Sequence, residues 1–182
     1  ISGFKNDFVL PEQLDLDSMS YGNQMKAAEL YPVYQAALKA NNALDFDDLL
    51  ASTAKLFQQV PSLREYYDKK FQYILVDEFQ DTNAVQYELV RLLSMDVKNV
   101  CVVGDDDQSI YRWRGANIEN ILNFEKDYPG TTVIKLEENY RSTQNILTAA
   151  GNVVRENRSR NEKTLWTQNE KGDPVICYRA ED

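Results

Sequence analysis

Residues 71–82 read FQYILVDEFQDT, and residues 102–116 read VVGDDDQSIYRWRGA. Each stretch begins with an apolar run of strand-forming residues and ends abruptly in polar groups. This pattern is typical of a buried parallel strand that delivers side chains to a cleft at its carboxyl end. The first stretch delivers the adjacent carboxylates of Asp77 and Glu78, whereas the second delivers an amide, two aromatic rings and two arginines. We therefore expect a carboxylate site and an aromatic, basic site on neighbouring strands.

Strand and helix patterns alternate from about residue 71 to residue 155, which predicts a parallel α/β layer rather than a β-sandwich. Strands are predicted at 71–76, 100–103 and 132–136, with 174–178 as a further candidate. Helices are predicted at 25–40, 44–57, 83–95 and 118–124, with a short helix from Pro61 and a last helix capped by Ser142. The fold class is therefore α/β, with a helical segment at the N-terminus.

The composition bounds the class of protein. The 182 residues suffice for one ordinary domain, or for one domain with parts of others. An apolar content of 43% and a charged content of 27% predict a packed core rather than disorder. No apolar run reaches the length of about eighteen residues that spans a membrane. Cys101 and Cys177 are predicted to be reduced, buried thiols in a reducing cytosol.

The chain contains no histidine, which excludes Ser-His and Cys-His nucleophilic sites and histidine-bearing zinc sites within it. Acidic residues outnumber basic residues 29 to 20, giving a formal charge of −9. This excess argues against broad binding to a phosphate backbone, which depends on clustered Lys and Arg. Any binding of nucleic acid must therefore rest on local groups.

Three carboxylates, Asp45, Asp47 and Asp48, open the helix predicted at 44–57. Acidic residues in a first turn suit the positive end of the helix dipole, and this is the reading that we favour. Three carboxylates could also ligate a metal ion, and the sequence alone leaves that alternative open.

The adjacent acids Asp77 and Glu78 suggest metal-assisted chemistry on a phosphate. An Asp at the tip of a strand can hold Mg²⁺, often through water, because this small hard cation prefers oxygen ligands. The neighbouring Glu can polarise a water molecule toward a γ-phosphate. The alternative is an acidic surface pair that ends a strand.

The wider context favours the chemical reading. Four segments occur in order: LDFDDL at 44–49, DEFQDT at 77–82, GDDDQSIYRWRGA at 104–116 and LEENYRS at 136–142. Together they resemble the UvrD/Rep/PcrA family of superfamily-one DNA helicases, and the resemblance covers most of the chain from about 44 to 170. It implies a partial RecA-like fold of the P-loop NTPase type. It also implies ATP and Mg²⁺ as cofactors, single-stranded and duplex DNA as partners, and 3′ to 5′ translocation with unwinding, in DNA repair or replication.

The resemblance also implies a role for each matching residue. Asp77 corresponds to the Walker B ligand of Mg²⁺, and Glu78 to the base that orients the attacking water. Gln108 corresponds to the amide that senses the γ-phosphate and couples it to the DNA groove. In the last segment, Arg141 corresponds to the arginine finger and Tyr140 to a residue that stacks on adenine.

The DNA-binding residues implied by the resemblance lie in the third segment. Tyr111 and Trp113 correspond to platforms for the bases of single-stranded DNA, with Arg114 nearby. Stacking of this kind contributes about 1–3 kcal/mol per base and tolerates any sequence. It needs no large basic field, so it is compatible with the net negative charge. The alternative for both rings is core packing.

The phosphate loop G-x-x-x-x-G-K-[ST] is absent from the chain. The family carries that loop upstream of these segments and a second catalytic arginine downstream. Together with the start at Ile1 rather than Met, this leads us to expect an internal segment of a longer protein. The expected domains are 1–43, the tail of a helical accessory (1B-like) domain; 44–137, the C-terminal half of a first RecA-like (1A-like) domain; and 138–182, the start of a second (2A-like) domain.

Several consequences remain expectations. The isolated segment is expected neither to hydrolyse ATP nor to unwind DNA, and exposed strand edges are expected to favour self-association. The lack of a targeting signal fits a bacterial cytoplasm. Two alternatives stay open: a non-catalytic DNA-binding or partner-binding module that keeps the fold, and a segment of a related helicase-nuclease.

Overall fold

The computed structural model describes residues 1–157 and 160–179. The chain divides into two compact units, Ile1–Phe124 and a second that begins at Glu125. The division expected from the sequence, at 43/44 and 137/138, remains a prediction. Residues 158–159 and 180–182 of the third expected domain lie outside the described residues.

The first unit is mainly helical, and its helices agree with the predicted ones to within two residues at 25–40, 44–57 and 83–95. The helices are α1 (Ser2–Asn6), α2 (Asn23–Ala40), α3 (Phe46–Gln59), α4 (Pro61–Lys70), α5 (Ala84–Leu93) and α6 (Glu119–Leu122). A further short helix, α7 (Phe124–Asp127), begins at the last residue of this unit. The helix predicted at 118–124 is instead two short helices. Asn123 separates them: it is the C-cap of α6, with a φ of −100° and a ψ of 2° outside the helical range, and its side chain donates to Glu119 Oε2 at 2.7 Å. Across the described residues, no helix is long and apolar enough to cross a membrane.

The hydrophobic core of this unit lies between α3, α4 and α5. Its buried members are Ala51, Ala54, Phe57, Val85 and Leu92, with Leu63 and Tyr67 of α4 packed against them. Reciprocal capping boxes begin two of these helices, Asp45 with Asp48 at α3 and Asn83 with Gln86 at α5. Pro61 occupies the first turn of α4, where its missing N–H costs no hydrogen bond.

Two parallel strands, β1 (Ile74–Val76) and β2 (Val100–Val102), form the sheet, with α5 in the connection between them. Ile74 pairs with Val100 and Val76 with Val102. The predicted parallel α/β arrangement is therefore confirmed, although β1 is shorter than predicted.

The sheet is covered on only one face, which corrects the expectation of fully buried strands. Side chains alternate along a strand, so Ile74 and Val76 are half-buried while Leu75 between them is 77% exposed. Cys101 occupies the equivalent position on β2. It is a free and exposed thiol, so its predicted burial is wrong.

The second unit contains α8 (Gln144–Val154), and its described part contains neither of the predicted strands at 132–136 and 174–178. Both predictions are wrong because β-propensity yields a strand only where a second strand completes the hydrogen bonds. Ile134 and Ile176 are 77% and 88% exposed, and Cys177 is exposed rather than buried. The backbone pairing in this region is instead an isolated parallel bridge between Glu138 and Trp166.

The N-cap of α8 is Thr143 rather than the predicted Ser142. Ser142 belongs to the preceding turn, because its backbone N–H donates to Asn139 Oδ1 at 2.8 Å. The helix therefore begins one residue later than the cap preference of serine suggested.

Candidate functional site

Two polar loops begin at the same end of the sheet, because β1 and β2 are adjacent and parallel and their carboxyl ends lie side by side. Asp77 and Glu78 follow β1 directly, and Gly104 and Asp105 follow β2 after Val103. The backbone ties the two exits together: Val103 N–H donates to Val76 O at 2.8 Å, and Phe79 N–H donates to Val103 O at 2.9 Å. The carboxylate site and the amide-bearing segment predicted from the sequence thus lie together at the carboxyl end of the sheet.

Glu78 has an unusual backbone conformation. Its φ of 49° and ψ of 43° lie in the left-handed region, which costs a non-glycine residue about 1–3 kcal/mol and is commonest at functional sites. The turn exposes the side chains of Asp77 and Glu78 and at once buries the next residue, Phe79, which is 0% exposed. Phe79 packs edge-to-face against Tyr87 and Phe124 at centroid distances of 5.8 and 5.5 Å. The aromatic anchor therefore holds the strained turn and its two carboxylates in place.

Asp77 is the residue whose chemistry fits a magnesium ion. Its exposed carboxylate offers hard oxygen atoms at a strand tip, and its Oδ1 already accepts a hydrogen bond from Glu78 N–H at 2.9 Å. A separate carboxylate group lies at Asp105, Asp106 and Asp107, whose ligand atoms fall within 4.8 Å of one another. Oδ1 and Oδ2 of Asp105 accept from Asp107 N–H and from the Gln108 amide, so Asp105 serves to shape its own loop.

A chain of hydrogen bonds connects the two loops through Gln80, which is 1% exposed. Gln80 Nε2 donates to Glu78 Oε2 at 2.8 Å, and Gln80 Oε1 accepts from Asp105 N–H at 2.9 Å. Asp105 Oδ2 in turn accepts from Gln108 Nε2 at 2.8 Å. Glu78 and Gln108 are both residues with a predicted role, whereas no role is predicted for Gln80 from the sequence. The only local indication was a polar residue directly after the buried Phe79.

Tyr111, Trp113 and Arg114 form an exposed cluster beyond the Gln108 loop. The exposed fractions are 38% for Tyr111 and 74% for Trp113, so core packing does not explain these rings. Their centroids lie 6.4 Å apart, and the Arg114 guanidinium lies over both, 5.1 Å from the Tyr111 centroid and 4.5 Å from that of Trp113. The cluster offers two aromatic surfaces and one positive charge to solvent, a combination suited to stacking on nucleic-acid bases. The DNA-binding role of the three residues remains a prediction.

The loop that carries Tyr140 and Arg141 lies in the second unit. Asn139 Oδ1 accepts from the backbone N–H groups of Arg141 and Ser142 at 3.0 and 2.8 Å. Asn169 Nδ2 donates to the carbonyls of Tyr140 and Ser142 at 3.2 and 3.1 Å. The two asparagines therefore hold the loop by its backbone, and Arg141 is exposed at the surface.

Tyr140 is 78% exposed, and its hydroxyl donates to Glu138 Oε2 at 2.8 Å. This hydrogen bond to a carboxylate raises the pKa of Tyr140 above its usual value. The ring face is open to solvent, as stacking on a base requires. The roles predicted for Tyr140 and Arg141 stay predictions.

Lys5, for which the sequence predicts no role, explains the acidic start of α3. Lys5 Nζ lies 2.6 Å from Asp45 Oδ2 and 2.7 Å from Asp48 Oδ1, and the Lys5 side chain is fully buried. Burial acts to lower the pKa of Lys5, but the hydrogen bonds to Asp45 and Asp48 outweigh it and raise that pKa. An ammonium group lies where a metal ion would have to bind, so the metal alternative for Asp45 and Asp48 is not supported. Asp47 instead accepts from Ser2 Oγ at 2.6 Å.

Comparison with known proteins agrees with this arrangement of segments. A family model described as the UvrD/REP helicase N-terminal domain matches residues 1–129, and one described as the UvrD-like helicase C-terminal domain matches 134–182. An ATP-dependent DNA helicase PcrA from Staphylococcus epidermidis is 54% identical over 180 residues, and one from Staphylococcus aureus is 53% identical over the same length. The alignments cover 99% of this chain but 25% and 24% of the relatives. The chain thus spans about a quarter of the length of the curated relatives that it matches.

Proposed function

This chain belongs to the UvrD/REP helicase family, and from that premise we propose that it forms part of an enzyme that couples ATP hydrolysis to movement along single-stranded DNA and to separation of the duplex. We include 3′ to 5′ translocation, a role in DNA repair or replication and a bacterial cytoplasmic location in the proposal. The bacterial origin of the relatives supports a bacterial source for this chain.

One observation carries the proposal: the hydrogen-bond chain that links Glu78, through Gln80 and Asp105, to Gln108. A hydrolytic motor must connect the residue that activates water with the residue that reports the state of the phosphate. The chain of bonds supplies such a connection between the loops after two adjacent parallel strands.

In the proposed reaction, magnesium-ATP supplies the transferable γ-phosphoryl group. The Asp77 carboxylate would hold the magnesium ion, and Glu78 would accept a proton from the attacking water. The Gln108 amide would hydrogen-bond toward the γ-phosphate, while Arg141 would offset the charge that develops on it. Tyr140 would hold the adenine by stacking.

The proposed DNA contact is the exposed cluster of Tyr111, Trp113 and Arg114. Aromatic stacking accepts any base, which suits a motor that must pass every sequence. It also needs little positive charge, which agrees with the formal charge of −9 for this chain. The cluster follows Gln108 by only a few residues, so a shift of the Gln108 loop would move the rings that contact the bases.

We further propose that the 182-residue chain alone is inactive, because it contains no phosphate loop to hold the β- and γ-phosphates. The proposed domains remain 1–43, 44–137 and 138–182. Self-association of the isolated chain through exposed strand edges is also part of the proposal, because the sheet of the described residues has only two strands and each has one edge without a strand partner. The exposed face around Leu75 adds apolar surface beside those edges.

The experiment that tests the proposal compares the longer protein that carries this segment with the segment itself. The longer protein should hydrolyse ATP, faster with single-stranded DNA, and should displace one strand from a duplex with a 3′ tail. The 182-residue chain should do neither. A longer protein whose ATP turnover ignores DNA would refute the motor function, and DNA-stimulated turnover by the short chain would refute the role given to the phosphate loop.

A further inference from the structure

We propose that Gln80 is a positioning residue that couples the Glu78 loop to the loop of Asp105 and Gln108, so that a change in one loop is transmitted to the other. The inference rests on the proposed function, since it assigns to Gln80 the link between water activation and the response to DNA.

The first observation is the two-ended contact of the Gln80 amide. Its Nε2 donates to the Glu78 carboxylate at 2.8 Å, and its Oε1 accepts from Asp105 N–H at 2.9 Å. A backbone N–H can only donate and a carboxylate can only accept, so the two partners fix which end of the amide faces which loop. Rotation of the amide would break both hydrogen bonds at once. Glu78 and Asp105 are therefore constrained by the same rigid group.

The second observation is the close approach of Gly104. A Cβ atom on Gly104 would lie 2.6 Å from Gln80 Oε1, 2.8 Å from Ile121 Cδ1 and 3.3 Å from Gln80 N. Gly104 does not have a positive φ, so its lack of a side chain serves this close approach rather than backbone freedom. The absence of a side chain at 104 is thus what admits the Gln80 amide between the two loops.

The third observation is that Gln80 is anchored at both its side chain and its backbone. Its side chain is almost fully buried, and its backbone carbonyl accepts from Ser109 Oγ at 3.3 Å, next to Gln108. The loop after β2 therefore meets Gln80 at two points, Asp105 and Ser109. A displacement of that loop would move the amide that orients Glu78.

The chemistry explains why an amide suits this position better than a carboxylate. A Glu at position 80 would keep an acceptor for Asp105 N–H but would place a second carboxylate against Glu78. The link would then be replaced by repulsion, with little change in side-chain volume. This makes Gln80→Glu a specific test of the donor end, whereas Gly104→Ala displaces the amide without altering it.

A matched control exists on the helical side of the same unit. Gln58 Nε2 donates to Glu88 Oε1 at 2.8 Å, the same pairing as that of Gln80 with Glu78, but Gln58 is exposed. Gln58→Glu introduces the identical chemical change away from the two loops. It is expected to leave ATP turnover and its stimulation by DNA unchanged.

The experiment uses the longer protein and measures the kcat and KM for ATP with and without single-stranded DNA. Each kcat is corrected for the fraction of protein that is folded and active. We expect Gln80→Glu and Gly104→Ala to reduce the stimulation of kcat by DNA by about threefold to thirtyfold, with KM for ATP little changed. Hydrogen exchange of the Asp105 amide, followed by mass spectrometry on the same samples, should accelerate about tenfold in Gln80→Ala.

The outcomes separate this inference from the proposed function. Normal DNA stimulation in both variants, or the same loss in Gln58→Glu, would overturn the coupling role. A lower melting temperature with unchanged stimulation would show that Gln80 is merely structural and would overturn it as well. A wild-type protein with no DNA-stimulated turnover would instead refute the proposed function and the coupling role together, and the exchange of the Asp105 amide would still decide whether Gln80 joins the loops.

Discussion

Replacement of Lys5 by Met tests whether a buried ion pair stabilises the first turn of α3. Lys5 Nζ contacts Asp45 Oδ2 at 2.6 Å and Asp48 Oδ1 at 2.7 Å. Met keeps the length of the side chain and fills most of its volume, so the main loss is the charge. The variant would leave Asp48, only 3% exposed at its side chain, without its cation.

The magnitude follows from the burial of each acid. Removing one partner of a buried pair costs about 3–5 kcal/mol. The Asp45 side chain is 25% exposed and can regain water, and Asp48 keeps hydrogen bonds from Gln35 Nε2 and Asp45 N–H at 3.0 and 3.2 Å. We therefore expect the lower end of the range, a loss of about 3 kcal/mol in the free energy of unfolding at pH 7.

The loss should depend on pH with a definite sign. Burial acts to raise the pKa of Asp45, but hydrogen bonds from Lys5 and from Asp48 N–H lower it below its usual 3.8. A lowered folded pKa stabilises the protein above the unfolded value, and the contribution is lost as the pH falls through the folded value. At basic pH, the stability that charged Lys5 contributes is fully present below about pH 10.5, the pKa of the unfolded state. It is lost only as the pH rises above that value through the raised pKa of the folded state. The difference between wild type and Lys5→Met should thus be flat near neutrality and shrink below about pH 4.

The assay is urea unfolding of the 182-residue chain followed by circular dichroism from pH 3 to pH 8. Lys55→Met is the matched control, because Lys55 pairs with Glu12 at 2.8 Å with both side chains exposed, and it should change stability by less than about 1 kcal/mol. Combining Lys5→Met with Asp48→Asn should recover part of the loss in a double-mutant cycle. Equal losses for Lys5→Met and Lys55→Met, or a loss that persists unchanged at pH 3, would refute the reasoning.

Three further predictions concern the loops and the exposed face. Trp113→Ala in the longer protein should weaken the binding of single-stranded DNA by about 1–3 kcal/mol, whatever the base, as measured by fluorescence anisotropy. The control is Tyr73→Ala, which removes an equally exposed ring just before β1, at the opposite end of the sheet, and should leave DNA binding unchanged. Asn139→Ala frees the backbone of Arg141, so kcat for ATP should fall about tenfold with the fold retained by circular dichroism; an unchanged kcat would contradict the positioning of Arg141. The isolated chain should self-associate by light scattering, and Leu75→Lys on its exposed face should reduce that association; a strictly monomeric wild type would contradict this.

The elements that were predictable from the sequence are those set by local pattern. The stripe of apolar residues in α3 and the polar end of β1 at Asp77 depend on neighbours a few positions away, so periodicity and caps sufficed. The parallel pairing of β1 with β2 followed from the helix pattern between them.

The features that could not be predicted depend on partners far along the chain. The segments at 132–136 and 174–178 have strand-forming residues, but a strand requires a second strand, and residue propensity does not reveal one. Lys5 meets its carboxylates across about forty positions, and nothing in its local sequence distinguishes it from a surface lysine. Gln80 is visible in the sequence, but its bond to Asp105 appears only once the strands pair.

The most direct test of the central claim is Glu78→Gln in the longer protein, with ATP binding and DNA-stimulated ATP hydrolysis measured side by side. The amide keeps the shape of Glu78 but cannot accept a proton from water, so ATP should bind as in the wild type while kcat falls about a hundredfold or more. Turnover at the wild-type rate would contradict the assignment of Glu78 as the base, and with it the hydrolytic site proposed at the edge of the sheet.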